Sequence, residues 1–122
     1  MFIKAVDAGH EVKVLIMSKS GYTNKEGGVQ RSDEIAVEEG LNALHELGVQ
    51  DIEILDFATK DIPFHSDVVN EIDLRMAAMH PDIIFTHHPF DTHQAHEGVA
   101  KATIAAKMAQ GLLDNGHDVY AV

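Results

Sequence analysis

The eleven residues from Thr86 to His96, reading T-H-H-P-F-D-T-H-Q-A-H, hold four of the chain's nine histidines. Imidazole is the commonest side-chain ligand of transition metals and the side chain whose unperturbed pKa lies nearest neutrality. Histidines grouped beside Asp91 can therefore bind Zn²⁺ or move protons. Histidines also collect in polar loops, and an H-x-x-H spacing alone does not separate a metal site from a solvated turn. What separates them is where the fold must place the cluster.

Four short apolar runs rich in β-branched residues, Val12 to Met17, Ile52 to Leu55, Ile83 to Phe85 and Val119 to Val122, are too short for helices. They are nearly continuous in hydrophobicity, as parallel strands covered on both faces tend to be. Between them run helical patterns: Ala36, Gly40, Ala43 and Leu47, ended by Gly48; Val69, Ile72, Met76 and Met79, stopped before Pro81; and Val99, Ala102, Ala106, Ala109 and Leu113. Ser66 is the expected N-cap of the second helix and Thr92 of the third, which would put His93 and His96 in one first turn. With a helix end at Phe2 to Ala8, the order is α then β-α-β-α-β-α-β, which predicts a layered α/β sheet with right-handed crossovers.

In such sheets ligands bind beyond the carboxyl ends of the strands. The first strand is followed by Ser18, Lys19 and Ser20, the second ends on Asp56, and the third runs into His87, His88, Asp91, His93 and His96. The polar groups are thus expected to converge on one edge. Ser18 to Gly28 reads as a long flexible loop after the first strand. At least one of His87 and His88 is expected to face the interior; His10, His45, His65, His80 and His117 are unclustered and read as surface or cap residues.

The composition narrows the chemistry. With no cysteine there are no thiol nucleophiles, disulfides or Cys-type zinc sites, and any metal must be held by nitrogen and oxygen. A formal charge of -11 disfavours nucleic acid and anionic membrane surfaces. No apolar run approaches the roughly 20 residues needed to span a bilayer, and Met1 to Gly9 lacks a signal peptide's features. A cytoplasmic protein of one domain over residues 1–122 is expected.

With these residues in place, the chain resembles the LmbE-like or PIG-L family of metal-dependent N-acetylglucosaminyl deacetylases. The resemblance runs from about Phe2 to Met108. It is carried by A-G-H-E-V-K-V-L-I-M-S at Ala8 to Ser18, R-S-D-E at Arg31 to Glu34, L-G-V at Leu47 to Val49, and P-D-I-I-F-T-H-H-P-F-D-T-H-Q-A-H at Pro81 to His96. It implies a Rossmann-like three-layer α/β sandwich with a mainly parallel sheet. It also implies a divalent metal, usually Zn²⁺, whose bound water attacks the acetamide of an N-acetylated amino sugar or glycoconjugate.

On that resemblance His96 is a metal ligand and His93 the group that protonates or stabilises the reaction centre. Arg31 and Asp56 contact sugar hydroxyls. Asp91 supports the histidines, as the carboxylate that offsets the positive end of the helix at His93 or one that orients a ligand histidine; a turn-initiating role is the plain alternative. For Arg31 the plain alternative is a solvated helix start, and for Asp56 an ordinary strand-ending carboxylate.

The sequence also departs from the family. The early His-Pro-Asp-Asp motif has no counterpart, so the chain is expected to begin after the family's first strand, without two of three metal ligands and the general base. His80-Pro81-Asp82 does not replace it, because it enters the third strand from the opposite edge. Ala95 stands where the family often has Asp, and the carboxy-terminal part is short. A missing central strand leaves open edges, which predicts a homo-oligomer. Three readings follow: a deacetylase whose missing ligands come from elsewhere; a non-catalytic remnant with weak sugar or metal binding, or one completed by a partner; and, least supported, a nucleotide-binding Rossmann module without a G-x-G-x-x-G pattern.

Overall fold

Alternating short β-branched runs and amphipathic stretches form the expected α/β architecture. The computed structural model describes residues 1–111 and 118–122; Leu113 and His117 lie outside the described residues. The chain divides into two compact units, Met1–Thr59 and Lys60–Val122.

The first unit contains α1 (Phe2–Asp7), β1 (Lys13–Ile16), β2 (Tyr22–Thr23), β3 (Val29–Arg31), α2 (Asp33–Glu46) and β4 (Asp51–Ile54). β1 and β4 pair in parallel, Lys13 opposite Asp51 and Ile16 opposite Ile54. The pairing continues past both strands, with the Phe57 N–H donating to the Met17 carbonyl at 3.1 Å. A parallel pair needs a crossover, and α2 supplies it. Ser32 Oγ caps α2 by accepting the Ile35 N–H. Beyond its other end Gly48 takes φ +84, where a Cβ would also approach Val6 Cγ1 to 3.0 Å. The buried stripe contains Ala36 and Leu44, while Ala43, expected inside, is exposed. Leu44 keeps the helical spacing from Gly40 and gains more from burial than alanine would.

Ser18 to Gly28 does not form the expected loop throughout. β2 and β3 make an antiparallel hairpin. Its turn is held by Asn24, whose Oδ1 accepts the Glu26 and Gly28 amides at 3.1 and 2.7 Å, with Gly27 at φ +83. Arg31 therefore ends a strand and does not start a helix.

The second unit contains α3 (Ser66–Met79), β5 (Ile83–Thr86), α4 (Gln94–Gly111) and β6 (Asp118–Ala121). β5 and β6 pair in parallel, with Phe85 opposite Tyr120. α3 is capped by His65, not Ser66: His65 Nδ1 accepts the Asp67 N–H at 3.3 Å, and Ser66 is already helical. The helix stops at His80, in the left-handed conformation, before Pro81. It buries Val68, Ile72 and Met76 against α4, whose Ala95, Ala102 and Ala106 are buried; Val69 and Ala109, expected in these stripes, are respectively half-buried and exposed. The small residues of α4 allow close approach. At Gly98 a Cβ would fall on the Ile62 carbonyl, the same carbonyl that accepts from Gln94 Nε2 at 3.1 Å.

β5 is not covered on both faces. Thr86 turns toward α4, its Oγ1 3.4 Å from Thr103 Oγ1, while Ile83 and Phe85 are about half exposed. The period of two sends them to the other face, where the Phe85 ring meets Tyr120 at 5.9 Å. No helix among the described residues is long and apolar enough to cross a membrane.

Candidate metal and acid-base site

The site begins where β5 ends. Thr86 is tied to α4 through Thr103 and its carbonyl accepts the Val122 N–H at 2.8 Å, so His87 leaves from a fixed point. A tight turn follows. His88 Nδ1 accepts the Phe90 N–H at 3.1 Å and the His88 carbonyl accepts the Asp91 N–H at 3.1 Å. His88 is exposed and shapes this turn, while His87 is half-buried and enters the cluster, so of the two only His87 turns inward.

Asp91 is the hub. Its Oδ1 accepts the His93 N–H at 2.8 Å and its Oδ2 lies 3.2 Å from His96 Nδ1. The His93 amide first, and then the His96 ring, hold the Asp91 carboxyl below the usual carboxylate range. An ionised carboxylate can only accept, so the proton of a neutral His96 sits on Nδ1 and the lone pair on Nε2. The His87 ring stacks on His96 with centroids 4.0 Å apart and planes 4° from parallel, and His93 lies against His96 at 4.4 Å and 28°. Burial first, and then the neighbouring His96, push the His87 pKa below its ordinary value, so it is neutral at neutral pH.

The expected capping by Thr92 is not found. α4 starts at Gln94, and the His93 carbonyl accepts the Glu97 N–H at 3.0 Å, which makes His93 the cap residue. The Asp91 carboxylate has already claimed the His93 amide, and this Asx-type turn delays the helix. His93 and His96 are still brought together, across the helix start and not within one turn. Ala95 is buried, and His96 takes its carboxylate partner from Asp91 outside the helix.

A tetrahedral zinc needs nitrogen or oxygen lone pairs converging at about 2.0–2.2 Å. The lone pairs of an imidazole lie in the ring plane, so those of His87 and His96, in nearly parallel planes, cannot converge on one ion. Asp91 is already engaged with His96 Nδ1 and the His93 amide. Among the described residues no three His, Asp or Glu side chains are grouped to hold a metal ion. The cluster offers His96 Nε2 as a directed donor and, among the described residues, does not fit a complete divalent-metal site.

Arg31 and Asp56 belong to the first unit, each with its own partner. Arg31 bonds Glu39 Oε2 at 2.6 Å, and its Nε is buried with no hydrogen-bond partner among the described residues. Asp56, just past β4, pairs with Lys19 Nζ at 3.2 Å. The parallel register of β1 and β4 puts these two chain segments side by side. Of the unclustered histidines, His65 and His80 are caps and His10 and His45 are exposed. Sequence reasoning missed the stacking of His87 on His96, because no helical or strand period joins two residues on either side of a turn.

Residues 1–107 match the family described as GlcNAc-PI de-N-acetylase, PIG-L. Among curated proteins none matches this sequence. Solved structures share the fold. N,N'-diacetylchitobiose deacetylase from Pyrococcus horikoshii, in complex with an inhibitor, is similar at 21% identity and a TM-score of 0.76, over 99% of this chain and 50% of that one. A conserved protein of Thermus thermophilus gives 16% and 0.74, over 99% and 52%. A deacetylase of the teicoplanin biosynthesis pathway gives 18% and 0.69, over 90% and 56%. The chain thus spans about half the length of these structures. Because the family match takes in the first unit, most of the second and the strand-end cluster, the chain belongs to the PIG-L family of GlcNAc-PI de-N-acetylases.

Proposed function

We propose that the protein is a deacetylase that hydrolyses the acetamide of an N-acetylglucosamine-type amino sugar to acetate and the free amine. The observation that carries this reading is the Asp91–His93–His96 cluster at the end of β5, inside the family match. In it His93 gives a proton to the departing amine nitrogen, Asp91 holds His93 and His96 in place, and Arg31 and Asp56 bind sugar hydroxyls. The family's divalent cofactor, Zn²⁺ or a similar ion, would find one ligand here, His96 Nε2.

The lack of a three-donor group among the described residues favours a second reading. In it this chain is a half-site that binds metal weakly, and the remaining donors come from a second copy or another polypeptide segment. One experiment separates the two. Acetate release from N-acetylglucosamine derivatives is measured with the full chain and added zinc, beside bound zinc and mass by light scattering.

Turnover that falls by about 10²-fold or more in His93→Ala supports the deacetylase, because general acid catalysis contributes on that scale. No turnover and no zinc sinks it for this chain. Substoichiometric zinc that falls in His96→Ala supports the half-site, whereas substoichiometric zinc that His96→Ala leaves nearly unchanged supports a non-catalytic remnant. A well-folded monomer with full activity sinks the assembled, oligomeric form.

A further inference from the structure

We propose that His87 is a positioning residue for His96: its stacked ring fixes the plane in which His96 presents Nε2. The inference rests on the proposed role of His96 and extends it to a residue outside the His-x-x-His spacing.

A hydrogen bond from Nδ1 to Asp91 Oδ2 at 3.2 Å fixes one atom of the His96 ring, which can still pivot about that contact. The terminal torsion of a histidine is broad, with no narrow staggered wells to hold it. A flat neighbour removes this freedom. His87 lies 4.0 Å away and 4° from parallel, whereas His93, tilted by 28° and exposed, cannot set the plane as closely. His87 is itself constrained: it is half-buried and follows Thr86, which is bonded to both Thr103 and Val122. The chain of restraint runs from α4 and β6 through Thr86 to the His87 ring and then to His96. The same parallel geometry that bars His87 from sharing a metal with His96 suits it to this task.

The test uses the full chain, isotopically labelled and free of metal, at pH 8.5, where an imidazole of ordinary pKa is neutral. Long-range proton–nitrogen spectra read the tautomer and line shape of His96 in the wild type, His87→Phe, His87→Leu and His87→Ala. The wild type and His87→Phe, which keeps a flat ring, are expected to show His96 protonated at Nδ1 with a single sharp set of signals. His87→Ala and His87→Leu are expected to lose it, the Nε2–H tautomer rising while the backbone spectrum stays folded.

An unchanged His96 in a folded His87→Leu or His87→Ala overturns the proposal. So does a His87→Phe spectrum that matches His87→Ala, or a wild type without the Nδ1 proton. Should His87→Ala not fold, His87→Leu, which fills similar space without a flat face, carries the comparison. Acetate release from the same samples keeps the two ideas apart. A His87-dependent His96 in an inert protein sinks the deacetylase and leaves the positioning role standing, and the converse sinks the positioning role alone.

Discussion

Two carboxylates lie past the carboxyl ends of parallel strands and meet a nitrogen at the same distance, yet they differ in what the contact achieves. Asp56 faces Lys19 at 3.2 Å, with the carboxylate largely in water and the lysine partly exposed. Asp91 faces His96 at 3.2 Å, but its other oxygen holds a backbone amide and its partner ring is stacked on two others. The first contact joins two flexible side chains that water screens and competes for. The second is one bond in a connected set, so breaking it disturbs a turn, a helix start and a ring plane together. Distance alone does not identify a site; the number of independent restraints on each atom does.

The largest effect is expected from loosening the helix on which the second site stands. α2 and α4 each carry one internal glycine, and the two sit in opposite environments. A Cβ at Gly40 would meet nothing within 4 Å, whereas at Gly98 it would fall on the Ile62 carbonyl. Gly98→Ala is expected to cost about 1–3 kcal/mol through overpacking. Gly40→Ala should stabilise by about 0.5–1 kcal/mol, the helical preference of alanine over glycine. Urea unfolding measures both. A Gly98→Ala midpoint equal to that of the wild type would show that α4 does not rest on the 62–63 segment as described.

These two glycines also mark what sequence could and could not reveal. The hydrophobic runs located β1, β4, β5 and β6, and the helical spacing located α2, α3 and α4, because both patterns are imposed residue by residue. The family motif likewise brought Asp91, His93 and His96 to attention. What escaped depends on contacts between distant residues or on competition within a turn. Nothing near Gly98 in sequence announces Ile62. His65 took the cap from Ser66 because its ring nitrogen reached the Asp67 amide, and Asp91 shifted the start of α4 by taking the His93 amide. The hairpin within residues 18–31 is set by Asn24, whose carboxamide organises a turn where composition alone suggested a loop. The exposed face of β5 was hidden for a related reason. The run I-I-F at Ile83 to Phe85 is apolar at every position, so it cannot reveal that only one face has a helix against it among the described residues.

Acidification gives a smaller and more selective perturbation. The pKa of His87 is depressed in the fold, so between its folded value and its ordinary value near 6.5 the unfolded chain binds more protons than the native one. Its contribution to stability is therefore fully present above about pH 6.5 and is lost as pH falls through the folded value. Asp91, also depressed, acts in the same direction in the lower carboxylate range. The thermal midpoint should fall between pH 7.5 and 5.5, and it should fall less in His87→Phe, which has no proton to gain there. Identical slopes for the two proteins would place the pH dependence elsewhere.

The weakest effect is expected at the other strand end. Lys19 and Asp56 are side by side because β1 and β4 run in parallel register, not because their charges pull the strands together. The backbone bond from Phe57 to Met17 already closes the pair at that point. Lys19→Ala should change stability by less than about 1 kcal/mol, as exposed pairs typically do, and the difference should shrink further in 0.5 M salt. Urea unfolding at two salt concentrations reads this directly. A loss of several kcal/mol, insensitive to salt, would mean that the Lys19–Asp56 pair is embedded in restraints as extensive as those around Asp91.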